Sequence, residues 1–130
     1  MVAERADREA VLVVDDDTAV RDLIEIILSD EGYRVRTAGD GRAALTLARD
    51  EPPDLVLMDV NMPILDGISA CRQLRDDRRT AHLPVMIMSA RPVRPAQLDA
   101  CRADRFLPKP FDIEQLLDEI AHCVAPHSHG

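Results

Sequence analysis

Continuous apolar runs at Val11-Leu12-Val13-Val14, Leu55-Val56-Leu57-Met58 and Val85-Met86-Ile87-Met88 restrict this chain to few architectures. A strand with one wet face alternates apolar and polar side chains, whereas a strand covered on both faces does not alternate. Two further short strands are read at Val35 and at Arg105-Phe106-Leu107. Segments of helical period lie between. Val20, Leu23, Ile24, Ile27 and Leu28 follow the i, i+3, i+4, i+7, i+8 pattern of one apolar stripe, with Gly32 as its stop. Ala44, Leu47 and Ala48 mark a second helix that must end before Pro52-Pro53. Gly67, Ala70, Cys71 and Leu74 give a third, whose small residues permit close packing. Ile113, Leu116, Leu117, Ile120 and Val124 give the last, with Asp112 placed to cap it. Strands joined by helical crossovers pair in parallel and are sandwiched by their helices, so the expected fold is α/β, a (βα)5 doubly wound five-stranded sheet.

The length of 130 residues suits one domain, expected over 10–124 with short tails at 1–9 and 125–130. Its core must be aliphatic, because Tyr33, Phe106 and Phe111 are the only aromatic residues. A formal charge of -8 argues against non-specific binding to nucleic acid or insertion at anionic membrane, and favours cations or basic protein surfaces as partners. No run reaches the length of a membrane span, and the opening Met1-Val2-Ala3-Glu4-Arg5 lacks the apolar core of a signal peptide, so a cytoplasmic location is expected. Cys71, Cys101 and Cys123 are odd in number and widely spaced in apolar-periodic segments, which suits buried free thiols better than a disulfide framework or a zinc site.

Open parallel sheets bind ligands beyond the carboxyl ends of their strands, so the residues that follow each run are decisive. Asp15, Asp16 and Asp17 follow the first, Asp59 the third, Ser89 the fourth and Lys109 the fifth. Lys109 is the single lysine among sixteen basic residues and stands between Pro108 and Pro110, which stiffen the backbone that aims it. Taken singly, each has a plain structural role: Asp17 or Thr18 capping a helix, Asp59 capping a turn, Ser89 bonding nearby backbone, Lys109 sitting solvated in a loop. Together they gather carboxylates at one edge, where mutual repulsion calls for a counter-charge. Magnesium fits that demand, because it accepts a few carboxylates while keeping waters and a phosphate oxygen. A carboxylate left free can attack phosphorus and form an acyl phosphate, with Lys109 and Ser89 on the remaining oxygens.

Four segments in order resemble the response-regulator receiver domain of two-component signalling: Val13-Val14-Asp15-Asp16-Asp17, Leu57-Met58-Asp59-Val60-Asn61-Met62-Pro63 with Asp66-Gly67, Met88-Ser89-Ala90, and Leu107-Pro108-Lys109-Pro110-Phe111. The resemblance runs from about Ala10 to Val124 and implies a flavodoxin-like, CheY-like three-layer sandwich. It further implies that Asp59 is the phosphoacceptor and takes its phosphoryl group from a histidine kinase or a histidine phosphotransfer protein. Asp15 and Asp59 would ligate Mg2+ directly, Asp16 through water, and Asn61 by its backbone carbonyl. Asp17 matches an acid outside the metal shell. The Lys109-Pro110 bond would be cis. Ser89 and Phe106 match the family's switch pair, whose repacking signals to a downstream protein target, while Asn61 and Arg91 match positions that tune hydrolysis. Such a protein is a phosphoacceptor with self-catalysed transfer and slow autodephosphorylation, not an enzyme that turns over a substrate.

Two departures from the family pattern carry expectations of their own. Pro92 and Pro95 in Arg91-Pro92-Val93-Arg94-Pro95 predict a short or displaced fourth helix with altered partner docking. Arg102 stands where the family commonly has glycine, which puts the turn before the fifth strand in question. Competing readings are a phosphorylation-independent module with a relic site, and a magnesium phosphatase built on Asp15 and Asp17. The second fits poorly, since 130 residues hardly leave room for a cap. His82 and His122 are read as surface or satisfied residues, and His127-Ser128-His129 as a terminal tail. Because the chain stops soon after its last helix, output is expected from the domain's own surface, stand-alone and without an effector domain.

Overall fold

The computed structural model describes residues 9–128, with side chains described as far as Val124. The elements alternate as β1 (Ala10–Val14), α1 (Thr18–Asp30), β2 (Arg34–Ala38), α2 (Gly41–Asp50), β3 (Leu55–Asp59), α3 (Gly67–Asp76), β4 (Val85–Ser89), α4 (Pro95–Cys101), β5 (Arg105–Pro108) and α5 (Ile113–Ser128). All strands pair in parallel, in the order β2-β1-β3-β4-β5. The last helix crosses the boundary drawn at residue 124 in the sequence and runs on to Ser128; His129 lies outside the described residues.

The non-alternating runs are explained by where their side chains go. Val11, Val13, Leu55, Leu57, Met86, Met88 and Leu107 pack on one face of the sheet against Ile24 and Leu28 of α1 and Leu116 and Ile120 of α5. Leu12, Val14, Val56, Met58, Val85 and Ile87 pack on the other against Ala44, Leu45 and Ala48 of α2, Ala70, Cys71 and Leu74 of α3, and Cys101 of α4. Both faces are therefore core, and each large side chain removed from water there contributes about 1.5–3 kcal/mol. The three thiols are free and buried.

Aspartates start most of the helices. Asp17 accepts from the amides of Ala19 and Val20, Asp40 from Ala43, Asp66 from Ser69 and Asp112 from Gln115. Each such cap is worth about 1 kcal/mol and sits at the positive end of its helix dipole. Part of the acidic surplus is thus structural. Helix α1 ends as expected at Gly32, whose φ of 98° lets Tyr33 donate back to the Leu28 carbonyl at 3.1 Å.

Helix α4 is indeed short, with seven residues. Pro95 occupies its first turn, where no amide partner is lost, and Arg94 before it is extended at φ -73°, ψ 143°. The turn that follows is retained despite the missing glycine: Arg102 itself adopts the left-handed conformation, at φ 53° and ψ 47°.

Candidate functional site

Parallel topology carries the carboxyl ends of β1, β3, β4 and β5 to one edge, where Asp59 and Ser89 close their strands and Asp15, Asp16, Asp17 and Lys109 lie just beyond theirs. Asp15 and Asp59 are buried and Asp16 is exposed. One carboxylate oxygen from each of these three lies within 4.8 Å of the others. Lys109 reaches this cluster, its Nζ 2.8 Å from Asp15 Oδ2 and 3.2 Å from Asp59 Oδ1. The Lys109-Pro110 peptide is cis, and the Lys109 amide donates to the Ser89 carbonyl at 2.8 Å, tying the loop after β5 to the end of β4.

Ser89 is buried, and its Oγ accepts from the Arg91 amide at 3.0 Å, which leaves the hydroxyl hydrogen free to donate. Phe106 lies on the neighbouring strand, paired with Ile87 and half-buried against the α2–α3–α4 side of the core. Asn61 and Arg91 are both exposed, in the loops after β3 and β4. Asp17, by contrast, is spent on the helix: its carboxylate caps α1, and its amide donates to Asp15 Oδ1 at 3.0 Å. That bond fixes one oxygen of Asp15.

The electrostatics follow from burial and neighbours. Burial pushes the Asp59 carboxyl above its ordinary value; Lys109 pulls it back, and Asp15 and Asp16 push it up again, with the rise prevailing. Burial works the other way on Lys109, but the hydrogen bond and charge of Asp15, with the charge of Asp59, outweigh it and raise the ammonium's pKa. One ammonium thus serves two buried carboxylates while a third stands beside them. The donor set is all oxygen, compact and under-compensated, which matches a small hard dication better than a softer metal.

Two glycines let the loops close on this pocket. A Cβ on Gly67 would run into the carbonyl of Asp59, and one on Gly41 into the carbonyl of Leu65, so α3 and α2 start in direct contact with the loop that follows Asp59. One residue of the neighbourhood escaped the sequence reading. Arg21, in the first turns of α1, donates from Nη1 to the backbone carbonyl of Asp15 at 2.9 Å. Its signal was a cation placed near a helix N-terminus, where the dipole disfavours positive charge.

A parallel five-stranded sheet with acids and one lysine gathered at its carboxyl edge defines a receiver domain. The chain belongs to the response regulator receiver domain family, whose pattern matches residues 11–121. Response regulator MprA of Mycolicibacterium vanbaalenii is 50% identical over 113 residues, which make up 82% of this chain and 46% of that protein. MprA of Mycobacterium tuberculosis is 48% identical over 113 residues, with the same 82% and 46% shares. The chain therefore spans less than half the length of these curated relatives. Among solved structures, chemotaxis protein CheY4 of Vibrio cholerae superposes with a TM-score of 0.84 at 32% identity, over 89% of this chain and 98% of that one. The receiver domain of the sensor histidine kinase PA1611 of Pseudomonas aeruginosa superposes with a TM-score of 0.82 at 28% identity, over 91% and 98%. Its structure holds a magnesium ion coordinated in the active-site cleft. The chain is thus a receiver domain of two-component signal transduction. Among the described residues, no helix is long and apolar enough to cross a membrane.

Proposed function

We propose that this domain accepts a phosphoryl group on Asp59 from a phosphohistidine of a histidine kinase or histidine phosphotransfer protein. The observation that carries this reading is the single constellation of Asp15, Asp16 and Asp59 with Lys109 bridging two of them. In the transfer, an Asp59 carboxylate oxygen forms a bond to phosphorus as the P–N bond to the donor imidazole breaks and the imidazole nitrogen keeps the electron pair. Lys109 is placed to follow the developing negative charge on the transferred oxygens, and the Ser89 hydroxyl to donate to another. Asp15 and Asp59 would hold Mg2+ directly, Asp16 through water, and the Asn61 carbonyl would complete the protein ligands. When bound, the ion supplies neutralisation of the carboxylates and of the incoming phosphoryl charge.

Output follows from the same residues. Ser89 turning its hydroxyl toward the phosphoryl group frees space that Phe106, one strand over and only half-buried, can fill by rotating inward. Phosphorylation then biases two packings of the β4–β5 face, which a downstream protein target reads. The short α4 lies on this face, so its partner contacts differ from those of a receiver with a longer helix there. Arg91 and Asn61, exposed beside the acceptor, tune the access of water to the acyl phosphate, and Arg91 prolongs its life.

The test is incubation of the metal-free protein with acetyl phosphate, with and without MgCl2, read by intact mass. A gain of one phosphoryl group that requires Mg2+ and disappears in Asp59→Asn is expected. No gain in the wild type would leave a phosphorylation-independent interaction module as the better reading.

A further inference from the structure

In an extended strand, neighbouring side chains point to opposite faces, so Asp15 and Asp16 cannot both reach one pocket while the chain stays extended. Yet their carboxylates share a cluster with Asp59 in which all ligand atoms lie within 4.8 Å. The peptide that joins Asp15 to Asp16 must therefore be turned out of strand geometry at the end of β1. The group that receives the carbonyl of that peptide is the Arg21 guanidinium, at 2.9 Å.

We infer that Arg21 is a positioning residue for the cation site: by holding the Asp15 carbonyl it fixes the turned peptide and keeps two successive carboxylates aimed at the same point. This rests on the reading of the acidic cluster as a magnesium site. The rest of the local scaffold fits the role. The Asp15 amide donates to the Ala38 carbonyl at 3.1 Å, and the Arg21 amide to the Asp17 carbonyl at 3.0 Å, so the chain is anchored on both sides of the turned peptide. Gly39, just beyond β2, leaves room for the guanidinium; a Cβ there would stand 3.0 Å from Arg21 Nη1. Gly39 has no positive φ to defend, so crowding of Arg21 is the main consequence of adding a methyl group.

Charge and geometry make opposite demands here, which gives the experiment its power. A cation beside the pocket repels Mg2+, so a guanidinium acting through charge alone would weaken uptake, and removing it would tighten binding. A guanidinium acting through the Asp15 carbonyl does the reverse. Calorimetric Mg2+ titration is compared for the wild type, Arg21→Met, Arg21→Lys and Gly39→Ala, at a temperature where all four are folded. Arg21→Met is expected to raise the Mg2+ Kd on the order of 10-fold, as loss of a group that orients a metal ligand commonly does. Gly39→Ala, which keeps the charge and asks the guanidinium to give by only a few tenths of an ångström, is expected to shift it in the same direction but by less, and Arg21→Lys to restore most of the affinity. In acetyl-phosphate labelling, Arg21→Met should need more Mg2+ for half-maximal rate while matching the wild type at saturation; general loosening of the fold would lower both. Unchanged or tighter Mg2+ binding in Arg21→Met overturns the inference. Absence of Mg2+ uptake by the wild type would instead overturn the magnesium reading beneath it.

Discussion

The Arg75 guanidinium donates to the carbonyl of Arg102 at 2.7 Å, and Arg102 is the residue that takes the left-handed conformation between α4 and β5. The same guanidinium also reaches the carbonyls of Ala81 at 3.0 Å and Leu83 at 2.5 Å, and Asp104 Oδ2 at 3.0 Å. Asp104 in turn accepts from the Val85 amide at 2.8 Å. A side chain on α3 thus gathers the loop before β4 and the turn before β5 into one unit. Arg75→Met should destabilise the domain by about 3 kcal/mol, because several backbone carbonyls lose their donor at once. Arg75→Lys should recover little, since a point charge cannot reproduce the planar fork. Arg102→Gly should act in the opposite direction and stabilise by about 0.5–1 kcal/mol, as glycine adopts this backbone without a Cβ conflict. Urea unfolding of the three variants checks both signs.

Among the described residues Lys109 is the only ammonium facing the carboxylates of Asp15 and Asp59, at 2.8 and 3.2 Å. Lys109→Met should therefore cost about 3 kcal/mol in metal-free protein, the penalty for stranding buried charge. Much of that loss should return when MgCl2 is added, because a dication can replace the missing charge. Asp59→Asn should do the contrary: with its pKa raised chiefly by burial, the Asp59 carboxylate is held ionised at a disadvantage, and the amide removes it. The metal-free variant should melt above the wild type at pH 7 and gain less from Mg2+. Thermal midpoints with EDTA and with MgCl2 decide the matter, and a Lys109→Met protein as stable as the wild type in EDTA would contradict this account of the pocket.

Asp15 and Lys109 are 94 residues apart, yet their convergence was legible in the sequence. Runs apolar on both faces imply a parallel sheet, and a parallel sheet places every strand's carboxyl end at one edge. The short α4 was legible for an equally physical reason: Pro92 and Pro95 limit where a helix can begin. Arg75 and Arg21 were not legible, since their partners are backbone carbonyls, and every residue has one. The left-handed Arg102 was noticed as a misplaced residue, but its turn could not be foreseen, because the group that braces it comes from a helix 27 positions earlier.

Ile64 stands in the loop after Asp59 at φ 70°, a conformation that β-branched residues rarely adopt, and it is 77% exposed. The Leu65 amide donates to the Pro63 carbonyl at 2.7 Å across it, closing a three-residue turn. That turn sends the Leu65 carbonyl to the Gly41 amide at 3.2 Å, so the strain at one residue docks the loop onto α2. With little burial to lose, Ile64→Gly should stabilise the domain by about 0.5–1 kcal/mol, the relief at positive φ exceeding the entropy cost of glycine. A lowered urea midpoint for Ile64→Gly would show that the side chain has a packing role its exposure does not reveal.

Tyr33 gives the domain an alkaline limit. Burial raises the phenol's pKa above its ordinary value, and the charges of Glu9 and Glu31 raise it further. The folded protein therefore holds this proton to higher pH than the unfolded chain does, so the phenol's contribution to stability is intact below about pH 10 and is lost as pH rises through the raised value. The thiols of Cys71 and Cys123, each pushed up by burial, lose stability in the same direction from a lower starting point near pH 9. Tyr33→Phe keeps the apolar packing and removes only the phenol. Its stability should match the wild type's at pH 7 and through the onset of the thiol-driven decline, then fall less steeply above about pH 10. Urea midpoints across that range test the sign directly: curves for wild type and Tyr33→Phe that stay parallel throughout would mean that the phenol ionises as readily in the fold as out of it.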